Sequence, residues 1–371
     1  MHRLVESTLN NALYEEADVR AQLASEKSIS LEAQKMLAMD KCLSVREALA
    51  GNQSADPVIL GKLAGDENTF VVQAAATNPA TPSKMLELLT NHSSAQVRSA
   101  LASNPVCPVE CLTWLSSDED VYVRQSASRN PRTKHADLLR LCLEDRSPLI
   151  KVGLSENPML PLDIHHHLAA ALSIGFGASH CKVKLTERDD AIPEYLTRWA
   201  GDSDEFVRRA VAAAPRTPID VLEGLCMDRD EMVKVALCNN PSITPGILTV
   251  LAQDEALGLR KRAAAHEHTP VLLLFKMAQT EVGVVREPAL KNLERRDDKS
   301  LLEAIVHEGI ALTQPAAPGK KPLGEFLLEN SQPGLYQRIQ SLELGISASL
   351  LGRSVPCQEH APMGRKSMLK M

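Results

Sequence analysis

The sequence repeats itself with a period of 26 residues, and this period constrains the fold more than any other feature. A Val-Arg pair, or a pair of similar type, marks each copy, as at Val45-Arg46, Val97-Arg98 and Val123-Arg124. Six residues before the base most copies have an aspartate, and six residues after it an asparagine, which proline often follows. A short unit of this kind cannot bury an apolar face alone, so we expect the copies to stack into a solenoid.

The recurring letters predict two helices in each copy. The aspartate is expected to cap the first helix, and the apolar residues that follow it at spacings of three and four, such as Val97, Ala100 and Leu101, share one face. Asn-Pro ends that helix, because proline donates no N–H and disfavours the helical conformation of the residue before it. A Thr-Pro pair, as at Thr81-Pro82, then starts a second segment of about two turns, which is either a short α-helix or a 3₁₀-helix.

Composition and charge favour the same fold class. Only 3% of the residues are aromatic, so the core must be filled by aliphatic side chains, and low aromatic content is not typical of sheets. Trp114 and Trp199 align near a core leucine position, and both are expected to pack inside. The net charge of -6 gives the whole molecule no long-range attraction for nucleic acid.

The lack of recognisable targeting segments predicts a cytoplasmic location. The amino-terminal segment is amphipathic and acidic and lacks the apolar stretch of a signal peptide, and no later segment has the length of a membrane span. The eight cysteines show no paired spacing, which fits reduced thiols. We therefore expect a cytoplasmic protein with no membrane partner.

The order Leu-Ala-x-Asp, Val-Arg and Asn-Pro-x-Thr-Pro resembles the leucine-rich repeat variant (LRV) proteins of bacteria, over roughly residues 15 to 295. That resemblance implies a right-handed superhelix of alternating α and 3₁₀ helices, similar in style to HEAT and armadillo solenoids. The family's founding member carries an iron–sulfur cluster on an N-terminal cysteine cluster, whereas only Cys42 lies in the first fifty residues here. No cofactor is expected.

The pattern also predicts the organisation of the chain. Residues 1–295 form a right-handed α-solenoid of about ten to eleven repeats of 26 residues. This solenoid contains an irregular insertion at about 169–190, where one copy has lost its recurring letters. Residues 296–352 form a C-terminal helical cap, and residues 353–371 a disordered basic tail.

The basic positions of the repeat are the first candidate site. Equivalent positions of a solenoid stack into a line, and such a line of bases could bind an acidic partner. The alternative is an internal ladder, in which each base pairs with an aspartate of its own or the adjacent repeat. The candidate row consists of Arg20, Arg46, Arg98, Arg124, Lys151, Arg208, Lys234, Arg260 and Arg286.

The second candidate site is the run His165-His166-His167. Adjacent helical residues point about 100° apart and cannot all reach one ion, so no metal site is expected. A surface histidine cluster at the mouth of the insertion could instead contact a partner. No catalytic motif is present in the sequence, so no enzymatic activity is expected.

These observations favour a non-catalytic protein–protein interaction scaffold that uses the solenoid groove. Its partner is expected to be another protein. The alternative is a nucleic-acid-binding helical-repeat protein, similar to the solenoid DNA glycosylases, that uses the Arg/Lys row. The sequence leaves that choice open.

Overall fold

The structure is a computed structural model that describes residues 16–173 and 175–353. All regular secondary structure in these ranges is α-helical, which confirms the all-α prediction. The basic tail predicted at 353–371 lies, beyond Arg353, outside the described residues. No helix of the described ranges is long and apolar enough to cross a bilayer.

The chain divides into two compact units, which meet in sequence at Thr217 and Pro218. The helices of the first unit are α1 (Ala17–Ser25), α2 (Leu31–Leu37), α3 (Leu43–Gly51), α4 (Pro57–Leu63), α5 (Thr69–Thr77), α6 (Ser83–Leu89), α7 (Ala95–Ser103), α8 (Val109–Leu115), α9 (Val121–Arg129), α10 (His135–Glu144), α11 (Pro148–Ser155), α12 (Leu162–Ala171), α13 (Ala178–Thr186), α14 (Pro193–Trp199) and α15 (Glu205–Ala213).

The second unit begins with the same alternation of helices and ends differently. Its helices are α16 (Ile219–Leu225), α17 (Glu231–Leu237), α18 (Pro245–Leu251), α19 (Leu257–Ala265), α20 (Val271–Thr280), α21 (Gly283–Arg295), α22 (Asp298–Glu308), α23 (Leu323–Glu329) and α24 (Pro333–Arg353). The last three lie in the segment that the sequence assigns to a C-terminal cap.

Each repeat supplies one helix to each of two layers. In the first unit the odd-numbered helices from α1 to α15, seven of which have nine residues, pack side by side in chain order and form what we call the long-helix layer. The alternating helices, most of them seven residues long, cover their inner face, and they are α-helical, not 3₁₀. This stacking of helix pairs is the solenoid architecture expected from the repeat.

The core lies between the two layers. Val97 and Leu101 of α7 are fully buried, as is Leu112 of α8. Equivalent apolar residues of the neighbouring copies complete one continuous cluster. The recurring valine and leucine therefore act as predicted, because neither layer can bury its apolar face without the other.

The recurring aspartate is not the helix cap that the sequence predicted. In α9 the cap is Asp120, whose side chain accepts hydrogen bonds from the N–H groups of Tyr122 and Val123. Asp118 stands two residues earlier and accepts the N–H of Asp120 at 2.9 Å. It therefore shapes the turn that leads into the helix, and its other oxygen is left for a different partner.

The recurring threonine also differs from its predicted role as a second cap. In the first unit, the hydroxyl of Thr81 donates to the carbonyl of Ala75 at 2.6 Å, and that of Thr133 donates to Ala127 at 2.6 Å. These bonds satisfy a carbonyl near the end of the preceding longer helix. Thr244, in the second unit, does cap its helix, since it accepts the N–H of Ile247.

The segment at 169–190 is more regular than the sequence indicated. After the turn at Gly175 and Gly177, both at positive φ, helix α13 packs between α11 and α15 in the place of a normal repeat helix. Its buried Cys181 stands where other copies have valine. Since cysteine is a small apolar residue, it keeps the packing although the recurring letters are lost.

Candidate protein-binding surface

The structure places the basic row inside an ion-pair ladder. In one example, Nε of Arg98 lies 2.7 Å from Oδ2 of Asp118, and Nη2 lies 2.9 Å from Oδ1. Nη1 donates to the carbonyl oxygen of His92 at 2.8 Å. This bidentate geometry joins the basic side chain of one repeat to the aspartate that precedes the next long helix.

The same connection recurs along both units. In the first unit it joins Arg20 to Asp40, Arg46 to Asp66, Arg98 to Asp118, Arg124 to Asp145, and Lys182 to Asp202. In the second unit it joins Lys234 to Asp254 and Arg260 to Glu281. Lys182 is absent from the row that the sequence analysis assembled, because its copy carries Cys181-Lys182 in place of Val-Arg.

The remaining bases of the row donate to backbone carbonyls. Lys151 donates to the carbonyl of Ala171 at 3.4 Å, and Arg286 donates to the carbonyl of Ala278 at 3.0 Å. Arg208 is buried and donates to the carbonyl of Asp202 at 2.9 Å. All nine predicted bases thus have partners within the fold.

One copy shows that base and acid belong together. Val72 occupies the basic position of its repeat, and the residue 20 positions later, where a paired copy has aspartate, is His92. The ring nitrogen of His92 still accepts the N–H of Ser94 at 3.1 Å, as the aspartates do for their own turns. The copy that lacks the basic residue therefore also lacks the aspartate that would pair with it, and keeps only the hydrogen bond that shapes the turn.

The electrostatics agree with a structural ladder. Hydrogen bonding to Arg20, chiefly, holds the pKa of Asp40 below its ordinary value. Burial tends to raise the pKa of Asp118, but the hydrogen bonds from Arg98 and from the backbone of Asp120 outweigh it, so this pKa is also lowered. The side chains of Arg98 and Asp118 are only 11% and 9% exposed, which leaves these charges little access to an external polyanion.

The recurring asparagines form a second ladder. Nδ2 of Asn104 donates to the carbonyls of Ala76 and Asn78, at 2.7 and 3.0 Å, and its Oδ1 accepts the N–H of Val106. Asn130 in turn donates to the carbonyl of Asn104 at 2.9 Å. The asparagine therefore binds each repeat to the one before it, a role that its predicted helix-ending function does not include.

The histidine run does not form one surface cluster. His166 and His167 are exposed, but His165 is 1% exposed and its Nδ1 lies 3.9 Å from Oδ1 of Asp190. Burial, mainly, lowers the pKa of His165 to about 4. His165 is thus a neutral core residue and cannot contact a partner, because the helical turn that exposes its two neighbours points it inward.

Exposed aromatic side chains mark one position on the open face of the long-helix layer, at Phe70, Tyr122 and Phe206. Phe70 on α5 and Tyr122 on α9 are 57% and 62% exposed. Each directly precedes the buried valine of its copy, so the two occupy the same position two repeats apart. In a chain with so few aromatic residues, their exposure is the main feature that sequence reasoning missed.

A groove lies on this same face. It has a volume of about 660 Å³ and runs across α5, α7 and α9. Its lining is small, polar or aromatic, and consists of Gln73, Thr77, Ser94, Ala95, Gln96, Ser99, Ala100, Ser103, Asp120 and Tyr122. Asp120 is the only charged residue of that set, and its carboxylate already caps α9.

Apart from Asp120, the groove offers neutral hydrogen-bonding groups. Neither side-chain amide, of Gln73 or of Gln96, has a hydrogen bond within the described part of the chain. An amide both donates and accepts, which matches the paired N–H and C=O groups of a polypeptide backbone. The groove can therefore receive a neutral polar chain beside Tyr122.

The two tryptophans have opposite environments. Trp199 is 2% exposed, which confirms its predicted place in the core. Trp114 is 73% exposed, so the prediction that it packs inside is wrong. It stands one residue before the buried Leu115 on α8, and the helical turn directs it outward while Leu115 fills the core position.

Residues 16–173 and 175–353 contain no group of three or more histidine, cysteine or acidic side chains that could hold a metal ion. Comparison with known proteins finds no matching family model and no matching curated protein. Two similar solved structures are an engineered protein and importin beta, crystallised in an ammonium sulfate condition.

The engineered protein is 16% identical, with a TM-score of 0.24, and the match covers 90% of this chain and 98% of that one. Importin beta is 14% identical, with a TM-score of 0.23, and the match covers 84% of this chain and 43% of that one. TM-scores of this size support no conclusion about function or partners.

Proposed function

We propose that this chain is a non-catalytic protein-interaction scaffold, and that the partner binds the open face of α5, α7 and α9. The observation that carries this proposal is the pair of exposed aromatic side chains, Phe70 and Tyr122, at the same position of repeats on either side of a groove whose only charged lining residue is Asp120. Solvent-exposed aromatic residues next to a concave surface are typical of the anchor points of protein interfaces. The basic side chains of the repeat already have partners in the ion-pair ladder and are not part of this surface.

The dimensions of the groove favour an extended segment. Neighbouring helices of a layer lie about 8–10 Å apart, so Phe70 and Tyr122 are separated by about 16–20 Å along the stack. An extended chain covers that distance in about five to six residues, at roughly 3.3 Å each. Its exposed backbone groups would face the amides of Gln73 and Gln96, whereas a helical partner has no free backbone groups to offer them.

We also infer that the repeat is a lengthened version of the bacterial LRV unit. The support is the order of its motifs, and the way in which each motif performs one structural task per repeat. Superhelical handedness stays a prediction of that resemblance, and the number of repeats stays a prediction of the 26-residue period.

A peptide selection tests the proposed surface. Random peptides displayed on phage would be selected against the full-length chain, and the dissociation constant of the best binder measured by fluorescence anisotropy. The double variant Phe70→Ala/Tyr122→Ala should weaken this binding by at least about tenfold, because aromatic anchors carry a large share of interface energy. Selected sequences should place bulky apolar residues about five to six positions apart.

Leu88→Ala is the matched control. Leu88 is an exposed apolar residue on α6, in the layer of short helices, and its truncation should leave the affinity unchanged. Equal affinity for the wild type and the Phe70/Tyr122 double variant would show that the open face is not the binding surface.

A further inference from the structure

A second cavity lies among the short helices of the first unit, apart from the aromatic groove. It has a volume of about 510 Å³ and is formed by the end of α6 and by α8. Its lining residues are Glu87, Thr90, Asn91, Pro108, Glu110, Cys111 and Trp114. Two carboxylates, one tryptophan and two neutral polar groups thus meet at one opening.

The two carboxylates carry uncompensated charge. Neither Glu87 nor Glu110 forms an ion pair within the described residues. Burial is the main cause that raises the pKa of the Cys111 thiol at the base of the cavity, and the charges of Glu87 and Glu110 raise it further. Their field therefore reaches into the cavity, where it disfavours any added negative charge.

The hydroxyl of Thr90 is a second and independent feature. Thr90 is 9% exposed, and its Oγ1 is buried without a normal hydrogen-bond partner, apart from a weak contact with the Cys111 thiol. The equivalent position is alanine in the two preceding copies, Ala38 and Ala64, and serine in the next copy, where the hydroxyl of Ser116 donates to the carbonyl of Thr113 at 2.9 Å. The repeat itself does not require a hydroxyl here, and a buried hydroxyl without a good partner costs stability.

Trp114 completes the arrangement. Its side chain is 73% exposed on the wall of the cavity, and the equivalent residues of the neighbouring copies are Leu88 and Arg140. The face of an indole ring attracts cations through its quadrupole, and the attraction is stronger for tryptophan than for the other aromatic residues. An indole face beside two unpaired carboxylates selects for positive charge from two sides.

We propose that this cavity binds an organic cation, namely a guanidinium or ammonium group, with Trp114 against its face and Glu87 and Glu110 as its counter-charges. Thr90 and Asn91 supply neutral oxygen atoms that accept hydrogen bonds from the N–H groups of the cation. Binding of a guanidinium or ammonium group offers a strong donor to the hydroxyl that the apo fold leaves without one.

A metal ion fits the cavity less well than an organic cation. Calcium and magnesium require six or more oxygen ligands in close array, and a tryptophan face contributes none. The apolar wall formed by Pro108, Cys111 and Trp114 instead matches the aliphatic or planar part of a lysine or arginine side chain.

The indole N–H resonances provide the test. The full-length chain contains two tryptophans, so its ¹⁵N–¹H spectrum should contain two indole signals, and Trp114→Phe assigns them. Titration with N-acetylarginine amide should shift the Trp114 signal and leave that of the buried Trp199. N-acetylcitrulline amide, which has nearly the same shape but no charge, should cause no such shift.

Charge variants distinguish a specific site from general attraction. Glu87→Gln/Glu110→Gln should weaken the binding of N-acetylarginine amide by about tenfold or more, since it removes both counter-charges. The control Glu47→Gln/Glu144→Gln makes the same change in net charge at two exposed glutamates outside the cavity, and should leave affinity unchanged. Circular dichroism would verify that each variant is folded.

Three results would overturn the proposal: equal shifts with the citrulline compound, no shift of the Trp114 signal with the arginine compound, or unchanged affinity in Glu87→Gln/Glu110→Gln. The source of the cation follows from a blocked Gly-Arg-Gly peptide. Tighter binding of this peptide than of N-acetylarginine amide assigns the site to a basic side chain of a polypeptide, and equal binding assigns it to a small free cation. The Phe70→Ala/Tyr122→Ala variant should bind N-acetylarginine amide and the Gly-Arg-Gly peptide as tightly as the wild type. The cation site and the proposed peptide groove are therefore tested separately.

Discussion

The recurring aspartate serves two neighbours at once. One oxygen of Asp118 accepts the backbone N–H that shapes the turn before α9, and the carboxylate as a whole receives the guanidinium of Arg98 from the preceding repeat. A residue that only capped its own helix would contribute to local structure alone. Because this one also contacts the previous copy, it adds to the free energy of stacking.

A double-mutant cycle measures that contribution. We expect Arg98→Ala to destabilise the first unit by about 2 kcal/mol, because it leaves a poorly exposed carboxylate and the carbonyl of His92 without their charged donor. Asp118→Ala should cost a similar amount. The double variant should cost clearly less than the sum, with a coupling of about 1 kcal/mol or more. Urea unfolding followed by tryptophan fluorescence gives the values, and strict additivity would show that the pair is not coupled.

The pair Val72 and His92 supplies a natural control for this cycle. Arg98→Val with Asp118→His copies the combination that the chain already uses one repeat earlier. We expect this exchange to be better tolerated than Arg98→Val alone, since the imidazole can still accept the N–H of the turn, as His92 does for Ser94.

His165 gives the first unit a defined pH dependence. Burial lowers its pKa from 6.5 to about 4, so the unfolded chain binds a proton in this interval that the folded chain does not. The associated stability is complete above the unfolded pKa and is lost as the pH falls toward the folded pKa, by about 1.4 kcal/mol per pH unit for one proton. Replacement by glutamine removes the titrating group. The stability advantage of the wild type over His165→Gln should therefore shrink between pH 7 and pH 4.5 in urea unfolding.

The adjacent exposed histidine controls for surface effects. His166→Gln should lose stability with pH in parallel with the wild type, since His165 is unchanged in it. If instead His165→Gln runs parallel to the wild type, then the buried imidazole is not the group that titrates.

At the residue scale, the sequence showed which residues recur in each copy but not which residues they contact. The spacing of Asp and Arg indicated that opposite charges lie in register, and left open whether they face each other or the solvent. The choice depends on the stacking distance between helices, which no single repeat encodes. The outward direction of Trp114 is a similar case, because its neighbour Leu115 satisfies the same apolar pattern.

At the scale of the helix pair, the asparagine connects elements that are far apart in sequence. Asn104 ends α7 and also binds carbonyl groups 28 and 26 residues earlier, at the end of α5. Those carbonyls belong to the last turn of a helix, where no intrahelical partner is available. The asparagine of one repeat therefore satisfies the helix end of the previous repeat.

Asn104→Ala should show how much this connection contributes. The side chain is fully buried, so the variant leaves the carbonyls of Ala76 and Asn78 and the N–H of Val106 without their partner. We expect a loss of about 2–4 kcal/mol in the free energy of unfolding, measured with urea. Ser103→Ala, an exposed change one residue away, should cost less than about 0.5 kcal/mol. A similar small effect for both variants would show that the asparagine is only a helix end.

The ends of the long helices were predicted better than their starts. Asn104 and Asn130, each before a proline, directly follow the last residues of α7 and α9, whereas the aspartate predicted to cap α9 stands two residues before the actual cap. Helix α13 was missed because its copy lacks the recurring Val-Arg and Asn-Pro residues by which the other copies are recognised. Its packing requires only a small apolar residue, here Cys181, and its ion pair only a basic residue, here Lys182. The groove beside Tyr122 could not be predicted, since it depends on the distance between three helices.

At the scale of the whole molecule, the chain consists of two compact units, of which only the first contains tryptophan. Both tryptophans, Trp114 and Trp199, lie before Pro218, so fluorescence reports on the first unit alone. Helices occur in both units, so far-ultraviolet circular dichroism reports on both. In a repeat protein each copy contacts mainly its neighbours, and cooperativity need not extend over the full length.

We therefore expect the two probes to give different urea transitions. The fluorescence change should fit a single step, and the circular dichroism change should be broader or contain a second step, because the second unit unfolds with its own midpoint. Arg98→Ala should move the midpoint of the fluorescence transition to a lower urea concentration. The part of the circular dichroism change that has no counterpart in fluorescence, which belongs to the second unit, should keep its midpoint. Coincident transitions for both probes, shifted together by Arg98→Ala, would instead show that all described repeats unfold as one cooperative body, and the ladder would then stabilise the molecule globally and not unit by unit.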